Sequence, residues 1–257
     1  MSLLNKEEKT KGIRQYHIHV KPGEIGKYVL LPGDPARSDR VAKYLDDAKL
    51  IADHREYRTF TGFYKGVKIS VTSTGIGCPS AAIAAEELIN VGAECLIRIG
   101  STGALQPKLE IGDLVISTGS MKNEGTSIFY VPKEFPAVPD FELTRTIIDT
   151  AAEMKDQLGY NYYCGINATD DAFYGEGEAW IQKLSDLGIL NVEMESSAIY
   201  TVAHMRKKRA AMISAVSGNL LTNDVIYDKE NKRLIKGWEN EIKVILEAIV
   251  KFDEKAS

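Results

Sequence analysis

An α/β fold is predicted for this chain: a single domain with a mixed, largely parallel central sheet flanked by helices. Short apolar runs alternate with stretches of helical periodicity from residue 28 to residue 252, the alternation that builds a sheet from strand–helix units. Most apolar runs also end in a cluster of Gly, Pro, Ser or Thr, as strands do where they turn into helices. No repeat, low-complexity tract or linker interrupts the 257 residues, a length that suffices for one large domain with a sizeable core.

Residues 28–31 form a strand that stops at Pro32-Gly33-Asp34-Pro35, and a helix follows over 37–45. Residues 67–72 alternate with period 2 and end at Thr74-Gly75-Ile76-Gly77. Pro79 and Ser80 then open an alanine-rich helix to about Asn90, since proline is tolerated in a first helical turn. A strand through Cys95 and another over 113–117 come next. The stretch 120–139 holds three prolines and reads as a long, irregular surface loop. Asp140 is placed to cap a helix that runs to Leu158 and closes at Gly159. Strands over 162–168 and 210–216 bracket helices near 178–187 and 196–206. Leu234, Ile235, Trp238, Ile242, Ile245, Leu246 and Ile249 fall at helical spacing in a closing helix over 232–252. Residues 1–12 read as a flexible extension.

Composition narrows the function. The chain is 44% hydrophobic and 26% charged with a formal net charge of −4, ordinary values for a globular protein. Its one basic run, Arg206-Lys207-Lys208-Arg209, suits the end of a helix and falls short of the broad face that nucleic acid requires. No apolar run approaches the ~20 residues of a membrane span, and no secretory signal is recognisable. Cys78, Cys95 and Cys164 form neither a CxxC pair nor an even framework, and the four histidines fit no HExxH pattern. A reducing cytoplasm is therefore expected, and a zinc site is not.

Residues 94–103 (ECLIRIGSTG) carry an arginine almost to the end of an apolar strand. A buried guanidinium demands a negative partner. The neighbouring Gly100-Ser101-Thr102 turn offers N–H and hydroxyl donors to the same anion. Two partners fit Arg98: a bound oxyanion, phosphate foremost, or a structural carboxylate. Gly33 and Arg37 form a second strand–turn–helix junction of the same type, where glycine permits close backbone approach. Alone, that junction also fits ordinary turn chemistry; joined with Arg98 and Ser101 it makes a two-loop phosphate cradle. Glu193 and Glu195 face the same way if extended, which suits work on hydroxyls or a developing cation; the alternative is an acidic helix N-terminus. Four small-residue turns, at Gly33, Gly75, Gly100 and Gly218, follow strands, where ligands collect in α/β sheets.

Taken together, Pro32-Gly33-Asp34-Pro35-x-Arg37, Arg98-x-Gly100-Ser101-x-Gly103-Ala104, Phe135-Pro136-Ala137-Val138-x-Asp140-Phe141 and Val192-Glu193-Met194-Glu195 resemble the uridine phosphorylase and hexameric purine nucleoside phosphorylase family. The likeness runs in order from about His17 to Phe252. His54-Arg55-Glu56-Tyr57 and the 73–80 segment are similar to the uridine phosphorylase branch in particular. The resemblance implies reversible phosphorolysis of a nucleoside to free base and ribose 1-phosphate. It implies that Gly33, Arg37, Arg98 and Ser101 hold phosphate, completed by Arg55 of a neighbouring subunit. Met194 and Glu195 would hold the ribose, with Glu193 close by and His17 reaching the 5′-hydroxyl across a dimer. Phe173 would pack on the base. Dimers assembled into a hexamer, and a monovalent cation such as K+ near Glu56, Ile76 and Ser80, are further implications. Otherwise no cofactor is expected, inorganic phosphate being a co-substrate. Arg98 and Glu195 are the expected catalytic pair, fixing the nucleophile and steadying an oxocarbenium-like sugar.

The base end departs from both branches. Where uridine phosphorylases carry a Gln-x-Arg pair after Phe-Tyr, this chain reads Gly175-Glu176-Gly177-Glu178-Ala179. Where the purine branch carries Ser-Asp, it reads Ser217-Gly218. Glu176, Glu178 and Asn219 are the polar residues left to meet the base, and glutamate cannot copy the donors of Gln and Arg unless protonated. A pyrimidine ribonucleoside such as uridine is the expected substrate. A purine nucleoside is the alternative, and a nucleosidase or a non-catalytic nucleoside-binding protein stands further off.

Overall fold

Ten strands form one mixed sheet in a computed structural model, which describes residues 12–222, 224–225 and 231–256. Residues 1–11 of the expected extension lie outside the described residues. The elements are β1 (Tyr28–Leu31), α1 (Pro35–Ala42), β2 (Asp46–His54), β3 (Tyr57–Tyr64), β4 (Val67–Thr72), α2 (Cys78–Asn90), β5 (Cys95–Ala104), β6 (Leu114–Asn123), α3 (Phe141–Leu158), β7 (Tyr162–Asp170), α4 (Glu178–Asp186), β8 (Asn191–Glu193), α5 (Ser196–Met205), β9 (Arg209–Asn219), β10 (Asp224–Val225) and α6 (Lys232–Ala256).

The strand order is β10-β9-β6-β7-β8-β5-β1-β4-β3-β2, with β9 also paired to β5. That extra pairing closes β5, β9, β6, β7 and β8 into a ring. Parallel ladders join β4, β1, β5 and β9, and also β6, β7 and β8. The contacts of β9 with β6, β5 with β8, and the β2–β3–β4 meander are antiparallel.

Both faces of the sheet are covered, so β1 is apolar throughout. Tyr28 and Leu30 pack on one side with the buried faces of α3 and α6, while Val29 and Leu31 pack on the other with α2 and α5. Asp140 caps α3 through its carboxylate, which accepts from the Leu143 N–H at 2.9 Å, and Gly159 ends the helix at φ 66°.

Three features differ from the sequence reading. The β2–β3 hairpin was not legible, because β2 is a charged and mostly exposed edge strand of the kind that resists edge-to-edge pairing. Its two-residue connection, Arg55-Glu56, holds Arg55 at φ 57°. The stretch 120–139 is not simply a surface loop. β6 runs on to Asn123, the Ser120 N–H donates to the Ala137 carbonyl at 2.8 Å across an antiparallel bridge, and Ser127 is fully buried in a short 3₁₀ turn (Ser127–Phe129). Finally, Glu195 is not in an extended strand with Glu193; β8 ends at Glu193, and Glu195 stands at the start of α5.

Candidate active site

The carboxyl ends of β1, β4 and β5 meet α5 and the 173–176 turn around a cavity of about 1010 Å³. Two loops are stitched together beneath it: the Thr74 N–H donates to the Pro32 carbonyl at 2.8 Å and the Gly75 N–H to the Gly33 carbonyl at 3.0 Å. Gly33 leaves little space for a side chain, since a Cβ there would lie 3.1 Å from the Gly75 oxygen. Asp34 caps α1 by accepting from the Ala36 N–H at 2.9 Å, which sets Arg37 in the first helical turn, inward.

Arg98 is buried at the centre. Its Nη1 donates to the Leu31 carbonyl at 3.2 Å and the Ile99 carbonyl at 2.9 Å, and its Nη2 donates to Oε2 of Glu195. Glu193 Oε2 lies 3.5 Å from its Nε. The guanidinium curls back over Gly100, where a Cβ would stand only 2.9 Å from Nη1. Burial opposes its charge, yet Glu195, Glu193 and Glu241 together raise its hold on the proton. The two partners open to Arg98 in the sequence are thus not exclusive: it pairs with carboxylates and also lines the cavity.

Glu195 accepts the Gly77 N–H at 2.8 Å on its other oxygen. Glu193 is spent on the scaffold. It accepts from Thr169 Oγ1 at 2.7 Å, Ser196 Oγ at 2.7 Å, and the N–H groups of Glu195 and Ser196 at 2.9 Å each. Burial and Glu195 push its carboxyl up against the pull of Arg98. Cys78 holds the turn between them, its thiol donating to the Met194 carbonyl at 3.3 Å.

Ser101 accepts from Arg37 Nη2 at 2.6 Å and from Trp238 Nε1 at 2.9 Å. The Trp238 ring lies 4.6 Å from the Arg37 guanidinium. From the next turn of α6, Glu241 accepts the Gly100 N–H at 2.5 Å. Burial pushes the Glu241 carboxyl up to about 8, against Arg37, the Gly100 N–H and Arg98. Burial weakens the hold of Arg37 on its proton, while Glu241 strengthens it. Trp238 entered the sequence reading only as a core position, and Glu241 not at all. The available signal was spacing: 238, 241, 242 and 245 share one face of α6, so a glutamate stands on the buried stripe.

At the far end, Phe173 is half-exposed on a 3₁₀ turn (Phe173–Gly175), and Glu176 lines the cavity with Ser217 and Gly218. Burial, then Asp170, pushes the Glu176 carboxyl up to about 7.

Gly33, Arg37, Arg98, Ser101, Glu193, Met194, Glu195, Phe173, Glu176 and Ile76 thus share one cavity. Two residues expected at the base end, Asn219 and Glu178, are not among the residues that line this cavity. Asn219 is buried with its amide donating to the Gln106 and Leu109 carbonyls at 3.0 Å and its oxygen accepting from Leu221 and Thr222, which leaves nothing for a ligand. Glu178 is exposed in the first turn of α4, where its charge suits the helix N-terminus. His17 and Arg55 do not line this chain's cavity. His17 is tied by Nδ1 to Glu87 at 2.6 Å, and Arg55 is exposed at the hairpin tip. Glu56 and Ser80 are adjacent, with Ser80 Oγ donating to Glu56 Oε1 at 2.7 Å.

A doubly covered α/β sheet whose strand ends gather two arginines, a serine and a buried carboxylate has the donors and charge to hold a small anion. The chain belongs to the Phosphorylase superfamily, whose pattern matches residues 27–251. It is 44% identical over 249 residues to a uridine phosphorylase of Thermococcus kodakarensis, covering 88% of each chain. It is also 40% identical to a guanosine phosphorylase of Halorubrum lacusprofundi over 82% of this chain and 86% of the relative. A crystal structure of uridine phosphorylase from Vibrio fischeri superposes with a TM-score of 0.85 at 34% identity, covering 93% of this chain and 98% of that one. The expected fold and family are borne out.

Proposed function

We propose that this chain catalyses the reversible phosphorolysis of a pyrimidine ribonucleoside such as uridine, giving free base and ribose 1-phosphate. The observation that carries the reading is the position of Arg98. On one side it joins the Gly33, Arg37 and Ser101 donors; on the other it touches Glu195. Phosphate held at the first group would lie beneath an anomeric carbon held at the second. As the glycosidic bond loosens, Glu195 accepts from the sugar hydroxyls and steadies the positive sugar, while the arginines orient the phosphate oxygen that attacks. The bond to the base breaks, its electron pair leaves with the base, and the new carbon–oxygen bond forms to phosphate. The uridine phosphorylases among its relatives favour the pyrimidine substrate.

Guanosine is the second reading. It is favoured by Glu176, a carboxyl at the base end for which guanine offers matching N–H donors.

Exposed Arg55 and half-buried His17, both away from their own cavity, support completion of each site across a homodimer, with dimers assembled into a hexamer. Glu56 and Ser80 supply hard oxygen donors that suit a monovalent cation such as K+. Free Cys78, Cys95 and Cys164 fit a cytoplasmic nucleoside-salvage enzyme.

The test is base release from uridine, thymidine, inosine, guanosine and adenosine with and without phosphate. Phosphate-dependent release, fastest with uridine and matched by ribose 1-phosphate, supports the proposal. Release without phosphate makes the enzyme a nucleosidase, and tight binding without turnover makes it a binding protein.

A further inference from the structure

We propose that Trp238 is a positioning residue for phosphate, acting through the hydroxyl of Ser101; the inference rests on the phosphate reading above. A serine hydroxyl has two lone pairs and one proton. The Ser101 oxygen already receives two donors, Arg37 Nη2 at 2.6 Å and Trp238 Nε1 at 2.9 Å. Neither donor can accept in return, because guanidinium and indole N–H groups only donate. The Ser101 proton must therefore be given elsewhere, and Ser101 opens onto the cavity beside Gly33, Arg37 and Arg98. Trp238 thus makes Ser101 an obligate donor into the cavity, the polarity that an oxyanion needs.

The same side chain holds the second donor. Its ring lies 4.6 Å from the Arg37 guanidinium and 5.4 Å from that of Arg40, within the range of cation–π attraction, which favours the observed place of Arg37. Trp238 stands behind the wall, buried on α6. A merely structural role would ask for a large apolar ring; the indole N–H is the part that a core position does not require.

Trp238→Phe keeps the ring and deletes the N–H. Phosphate KM should rise about fivefold, the loss of one hydrogen bond, with nucleoside KM unchanged. Ser101→Ala should raise phosphate KM about tenfold, and adding Trp238→Phe to it should raise KM no further. If Ser101→Ala raises phosphate KM and Trp238→Phe does not, or if the two effects multiply, the role of Trp238 is overturned while the phosphate reading stands. If Ser101→Ala leaves phosphate KM unchanged, the phosphate reading at Ser101 fails and the inference with it. Should Trp238→Phe not fold, Trp180→Phe leaves Trp238 as the one tryptophan of the two in the chain. Its fluorescence should then respond to inorganic phosphate and not to chloride at equal ionic strength; a silent signal overturns the proposal.

Discussion

Arg98 and Glu195 are hydrogen-bonded to each other, Nη2 to Oε2, in a pocket that buries both side chains. The group proposed to hold the nucleophile and the group proposed to hold the sugar are therefore partners before any substrate arrives. Each also has backbone tethers, Arg98 to the Leu31 and Ile99 carbonyls and Glu195 to the Gly77 N–H. The pair bridges β5 to the start of α5, so the two substrate ends are set at a fixed separation by the fold rather than by the ligand. A buried ion pair of this type is a poor source of net stability but a strict geometric device.

Glu195→Gln should therefore separate binding from turnover. The amide keeps the shape and still accepts from a sugar hydroxyl, but it carries no charge to balance a ribosyl cation. We expect kcat to fall by about 10² to 10³, the scale for losing one preorganised electrostatic partner of the transition state. Phosphate KM should not rise, because Arg98 loses a competitor for its Nη2 protons. Steady-state rates with each substrate varied in turn measure both effects. An unchanged kcat would remove Glu195 from the chemistry.

Glu241 predicts a pH dependence of stability. Its carboxyl is pushed up to about 8 in the folded chain, burial being the largest cause, against about 4.3 for a free glutamate. Between those values the folded state holds a proton that the unfolded state has released. The contribution is fully present below about pH 4 and is lost as pH rises through about 8. Glu241→Gln cannot lose that proton. Its stability relative to wild type should climb from pH 5 to pH 8, by on the order of 3 kcal/mol. Urea melts at both pH values measure the difference; parallel profiles would show that Glu241 does not titrate in this window.

The residues that were legible in the sequence are those whose local context demands a partner or a turn. Arg98 in an apolar strand, Gly33 and Gly100 at strand ends, and Asp140 with Gly159 around α3 each carry their reason in their neighbours. What stayed hidden depends on contacts far along the chain. Glu241 meets Gly100 across 141 positions, and Trp238 meets Ser101 across 137. Glu193 looked like a ligand carboxylate beside Glu195, yet Thr169 and the turn's own N–H groups consume it. Asn219 looked available at a strand end, but the loop at Gln106 and Leu109 takes its amide.

Arg55 sits exposed at the tip of the β2–β3 hairpin, away from the cavity of its own chain. If it completes a neighbour's phosphate site, Arg55→Ala and Arg98→Ala subunits are each inactive alone but complement when mixed. A mixed dimer then contains one site with both arginines intact. Co-expressing the two variants under different tags and purifying the doubly tagged species should restore up to about half the wild-type rate per dimer, by counting sites. No recovery in verified mixed dimers would place Arg55 outside the site.

Glu176 distinguishes the two base readings by the sign of a pH effect. Burial and Asp170 push its carboxyl up to about 7, so it changes from donor to pure acceptor across the neutral range. A pyrimidine carbonyl needs the protonated form: uridine KM should rise as pH goes from 6 to 8. A guanine edge presents N–H groups and needs the carboxylate: guanosine KM should fall over the same interval. Glu176→Gln has a donor and an acceptor at every pH, so it flattens either profile, and it should favour uridine over guanosine relative to wild type. The shift should be about fivefold, the scale of one hydrogen bond gained or lost. The measurement is the nucleoside KM for both substrates at pH 6, 7 and 8 in the two proteins. If wild type and variant share one profile, Glu176 does not touch the base, and recognition falls to Phe173 and the Ser217-Gly218 backbone that line the same end.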